Sequence, residues 1–100
     1  MTDSDDAEDG PTRRDLVADL HARLEATAEL PVEQSASRWL GEAEAVCGDA
    51  VGPEVPLPVV EKRVEQVRML LSNVDETGHP EADDHVAAAR ELVERIESRL

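Results

Sequence analysis

Pro58-Val-Val-Glu-Lys-Arg-Val-Glu-Gln-Val-Arg-Met-Leu-Leu-Ser-Asn-Val74 is the stretch that decides the fold. Val60, Val64, Val67, Leu71 and Val74 recur in alternating steps of four and three. That repeat puts an apolar seam along one side of a helix. Pro58 suits a first turn, where its missing N–H costs nothing. We expect a helix from Pro58 to Asn73 or Val74.

The next stretch repeats the pattern. Pro80 opens a second seam of Val86, Ala89, Val93, Ile96 and Leu100, widened by Leu92. Glu81, Asp83 and Asp84 fall in its first turns, where the helix dipole favours anions. Arg90 to Glu94 and Glu91 to Arg95 have the i,i+4 spacing of surface ion pairs. Asp75–His79, with Gly78, forms a short connection, so these two helices should pair as an antiparallel hairpin.

Upstream, Thr12-Arg-Arg-Asp15 has the form of a capping box. Leu16, Val17, Leu20, Leu24 and Ala28 follow at helical spacing, giving a helix over about 13–28. Pro31 holds Leu30 out of the α region and ends the segment. Another helix starts between Pro31 and Ala36, with Pro31 as first residue or Ser35 as N-cap. Its face is Ala36, Trp39, Leu40, Ala43, Val46 and Cys47, and Gly48 is its C-cap. Gly41 costs about 1 kcal/mol against alanine inside a helix, so it suggests close approach by a neighbour. Residues 48–57, with two glycines and two prolines, are a loop. The expected fold is all-α: a small antiparallel four-helix bundle of two hairpins over residues 12–100. An acidic, disordered tail over 1–11 precedes it.

Composition limits what such a bundle can be. Thirteen Ala, twelve Val and ten Leu carry the apolar fraction, Trp39 is the only aromatic, and Ile96 the only isoleucine. Small aliphatics bury less area each than aromatics do. A second chain covering an apolar face would help, so we expect a homo-oligomer, dimerising through the C-terminal hairpin, or another protein as partner.

The net charge is −14, from 24 acids against 10 bases, and Lys62 is the only lysine. Asp3, Asp5, Asp6, Glu8 and Asp9 sit in the first nine residues; without them 19 acids still face 10 bases, a net −9. The acidity is therefore general. At 1 M ionic strength the Debye length is about 3 Å, which screens repulsion among carboxylates. Scarce lysine and small aliphatics suit the same solvent, so the composition reads as halophilic. An acidic decoy for a basic partner would instead need its acids on one face.

The same features exclude function classes. No basic patch or stacking platform supports nucleic-acid binding. No apolar run approaches the length of a membrane span. The N-terminus lacks a signal peptide's basic and apolar regions. The expected location is the cytoplasm.

Ser37-Arg-Trp-Leu-Gly-Glu-Ala-Glu-Ala-Val46 and Glu76-Thr-Gly-His-Pro-Glu-Ala-Asp-Asp-His-Val-Ala-Ala-Ala-Arg90 resemble an uncharacterised family of small, acidic, helical haloarchaeal proteins. The resemblance covers about residues 12–96. It implies a saline host and supplies no mechanism.

Candidate sites are few. His79, Glu81 and His85 are the candidate metal ligands, because imidazole and carboxylate both bind transition metals and Glu81 and His85 share a helix face at i,i+4. The same residues also make an ordinary helix start. His21, beside the apolar face of the first helix, could join His85 across the bundle or simply mark that boundary. Arg38 and Trp39 are candidate interaction residues, since both types are common at interface hot spots; Trp39 could equally anchor the core. Cys47 has no activating base in sequence and reads as a buried helix-end thiol. No phosphate loop, hydrolase elbow or cysteine cluster is present, and no cofactor is implied. The expected function is a non-enzymatic helical interaction module, with a small metal-binding protein or metal-dependent enzyme as the alternative.

Overall fold

The computed structural model describes residues 12–99. The expected tail over 1–11 and Leu100 of the last seam lie outside them. The chain forms four helices: α1 (Arg13–Ala28), α2 (Gln34–Gly48), α3 (Leu57–Leu71) and α4 (Pro80–Glu97). They make an antiparallel four-helix bundle in which α1 neighbours α2 and α4, and α3 also neighbours α2 and α4. The diagonal pairs do not meet.

Local chemistry sets the ends. The Thr12 hydroxyl accepts from the Asp15 amide at 3.1 Å, and the Asp15 carboxylate accepts from the Thr12 amide at 3.1 Å. The expected capping box is thus formed, satisfying two donors a helix start leaves unpaired. Leu57 and Pro58 open α3. Pro80 opens α4, with His79 as its N-cap. Neither Pro31 nor Ser35 starts α2; Glu33 precedes it without a side-chain cap.

The seams of α3 and α4 are buried, except for Leu100, which is not described. Leu16, Val17, Leu20 and Leu24 bury on α1, and Ala36, Leu40, Ala43 and Cys47 on α2. Ala28 is exposed, and Thr27 takes its place inside. The Thr27 hydroxyl donates to the Leu24 carbonyl at 2.6 Å, which satisfies it in the apolar interior.

Three expectations change. Gly41 does not mark close packing: a Cβ there would meet nothing within 4 Å. The α3–α4 connection is eight residues, 72–79, because α3 stops at Leu71. Arg90 explains that stop. Its guanidinium donates to the Leu71 carbonyl at 2.8 Å and to that of Val74, capping the end of α3 where the dipole favours a cation. Arg90 therefore does not pair with Glu94 as expected. Arg68 meets Glu97 at 3.2 Å, so the last turns of α3 lie against the second half of α4.

The connection bends back through Gly78, whose φ of +80° suits glycine. A Cβ there would stand 3.0 Å from Glu33 Cγ. The Glu33 amide donates to the Thr77 carbonyl at 2.7 Å, tying this connection to the start of α2.

Candidate functional site

The His79–His85 segment is built mainly around Thr77. Thr77 is fully buried. Its amide and hydroxyl donate to Asp83 Oδ1 at 2.9 and 2.8 Å, and its hydroxyl accepts from the His79 amide at 3.1 Å. The Thr77 amide first, and its hydroxyl second, hold the Asp83 carboxyl below the ordinary carboxylate range; the nearby His79 adds to this. Asp83 thereby fastens the connection onto the first turns of α4.

Among the described residues, His79, Glu81 and His85 do not converge as a group of three ligands. His79 Nδ1 accepts from the Glu81 amide at 3.2 Å, as the helix cap. The Glu81 carboxylate lies 3.9 Å from His85 Nε2. Arg23, reaching across from α1, places its guanidinium 3.1 Å from His85 Nδ1. A guanidinium only donates, so Nδ1 presents its lone pair there.

His21 does not join His85. It lies on the side of α1 that faces α2, whereas Arg23 and His85 lie where α1 faces α4. Among the described residues, one group of three has metal-ligating atoms all within 4.8 Å of one another: His21, Glu25 and Glu44. His21 Nδ1 and Glu25 Oε1 are 3.7 Å apart, one helical turn from each other on α1. Glu44 comes from α2. The His21–Glu25 spacing was present in the sequence as an i,i+4 pair. The arrival of Glu44 depends on how α1 and α2 pack, which that spacing does not carry.

Trp39 is half-buried and packs against the core. Val46, two turns along α2, also packs against the core. The exposed Arg38 holds its guanidinium 5.8 Å from the Trp39 ring centroid, within cation–π reach.

Cys47 is 1 % exposed, and burial pushes its thiol up to about 12. Its Sγ lies 3.8 Å from the Val17 carbonyl. The reactive species is the thiolate, and this environment opposes it. A depression of about 370 Å³ lies between the start of α1 and the loop before α3. Its lining includes Thr12, Arg13 and Arg14, with no histidine, cysteine or carboxylate among the residues that form it.

α3 is unusual in this chain. Leu57, Val59 and Met69 are three of the four exposed large hydrophobics among the described residues, at 45, 38 and 60 % exposure. α3 carries Lys62, Arg63 and Arg68 against Glu61 and Glu65, a net positive charge in a chain of −14. Among the described residues, no helix is long and apolar enough to cross a membrane.

A family model described as a domain of unknown function, DUF8152, matches residues 16–100. No curated protein and no solved structure matches the chain.

Proposed function

The chain belongs to the DUF8152 family of unknown function, and from its geometry we propose a helical interaction module that pairs with a second copy of itself through α3. The observation that carries this is a stripe of Val59, Lys62, Gln66 and Met69 on the side of α3 opposite the buried Val64. None of the chain's 24 acids falls in that stripe. The four positions are symmetric about Val64. Two copies crossing antiparallel there place Val59 against Met69 of the partner subunit and Lys62 against Gln66 of the partner subunit. A two-fold interface requires such self-complementarity.

The experiment is the double variant Val59→Asp/Met69→Asp. Both side chains are exposed in the single chain, so the fold tolerates charge there. Paired carboxylates in the seam would repel and lose their water. The expected result is loss of the dimer with unchanged helical circular dichroism. A variant that remains dimeric contradicts the proposal.

The working environment we infer is a saline cytoplasm. Exposed acids occur on all four helices and on each connection between them, which favours a solvation role over an acidic decoy. The aromatic-poor core fits the same solvent. Dilution from multimolar KCl into dilute buffer should reduce the helical circular dichroism signal as carboxylate repulsion loses its screening. Full helicity in dilute buffer contradicts the halophilic reading.

The alternative, metal binding by His79, Glu81 and His85, has less support. The cap role of His79 and the Arg23 guanidinium at His85 both compete with it.

A further inference from the structure

We propose that His21, Glu25 and Glu44 bind one divalent transition-metal ion across the α1–α2 interface. The donor set is one imidazole nitrogen and two carboxylates. Imidazole suits zinc and nickel, and carboxylates admit manganese. The site is separate from the α3 stripe and does not depend on it.

Three observations support the site. The first is spacing. Ligands at about 2.0–2.1 Å from a tetrahedral ion are about 3.3 Å apart. His21 Nδ1 and Glu25 Oε1 already stand 3.7 Å apart, and the three ligating atoms lie within 4.8 Å of one another. Glu25 has a side chain 57 % exposed, so it can swing inward by a rotamer change without disturbing the core. A fourth position stays open to water.

The second is charge. Two carboxylates from neighbouring helices converge here. Among the described residues, neither Glu25 nor Glu44 has a lysine or arginine within ion-pair distance. Both carboxylates are thus free to take a cation at direct-contact distance, where their attraction is short-range and least screened.

The third is orientation. With Nδ1 facing Glu25, the other ring nitrogen of His21 points at the C-terminal end of α2. Nε2 lies 3.4 Å from where a Cβ on Gly48 would sit. The missing side chain lets the imidazole lie close against the helix end. The ring is thereby held in the α1–α2 interface, beside the helix that supplies Glu44.

The test is calorimetric titration of the untagged, chelator-treated full chain with zinc, nickel and manganese chlorides. The expected result is saturable binding of one ion per chain, and a melting temperature that rises with the metal. His21→Ala and Glu44→Gln should each weaken binding by at least about 10–100-fold, with helical circular dichroism retained without metal. His79→Ala/His85→Ala should bind as the unaltered chain does. The proposal is overturned by absence of saturable binding, by binding that survives both His21→Ala and Glu44→Gln, or by binding lost in His79→Ala/His85→Ala. Glu44→Gln keeps the side chain's size, so loss of binding there separates ligation from a packing defect.

Discussion

Leu24→Ala is expected to destabilise the bundle by about 2–5 kcal/mol. Leu24 has no exposed surface and lies in the second half of α1, the helix that packs most extensively on α4. Truncation removes buried apolar area and leaves a cavity. The core is built of Ala, Val and Leu with Cys47 and Ile96; no Phe or Tyr exists in the chain to swing into the gap. Relaxation is therefore limited, and cavity cost rises with the volume that stays empty. Small domains have about 5–15 kcal/mol in total, so one truncation takes a large share. Each 1 kcal/mol moves the melting temperature of a domain this size by about 4–8 °C. Thermal melts followed by circular dichroism in high salt should show a fall of roughly 10 °C or more. A change within a degree or two would mean that Leu24 is not in a packed core.

Thr77→Val is expected to cost about 1–3 kcal/mol through hydrogen bonding alone. Valine keeps the buried shape and deletes the hydroxyl. The His79 amide then loses its acceptor, and Asp83 loses one of two Thr77 donors. The effect has a pH signature. The folded carboxyl of Asp83 titrates below its unfolded value. Its stabilisation is therefore present above the unfolded pKa, about 3.9, and is lost as pH falls through the folded value. Thr77→Val shrinks that shift. Urea unfolding at pH 7 and pH 3 should show a smaller acid loss in the variant than in the unaltered chain. Equal losses would show that Thr77 does not control Asp83.

The helices were legible because their signals are local. The Thr12–Asp15 box, the proline at the start of α4 and the seams of α3 and α4 each lie within a few turns of sequence. The end of α3 was not legible, because Arg90, nineteen residues beyond Leu71, supplies the cap. Thr27 replaces Ala28 inside because its hydroxyl finds the Leu24 carbonyl, a satisfaction that apolar periodicity does not register. His79, Glu81 and His85 stand out as metal ligands in the sequence because their donors are dense along the chain. The grouping of His21, Glu25 and Glu44 is not visible there, because it arises through the packing of two helices. Gly41 misled for a related reason: a helical glycine suggests a close neighbour only if another helix crosses at that point, and here none does.

The mass of the unaltered chain in solution tests the proposed pairing most directly. Light scattering on a chromatographed sample in multimolar KCl, over a range of concentrations, should approach twice the 10.9 kDa of one chain. A mass that stays at 10.9 kDa up to high concentration contradicts pairing through α3.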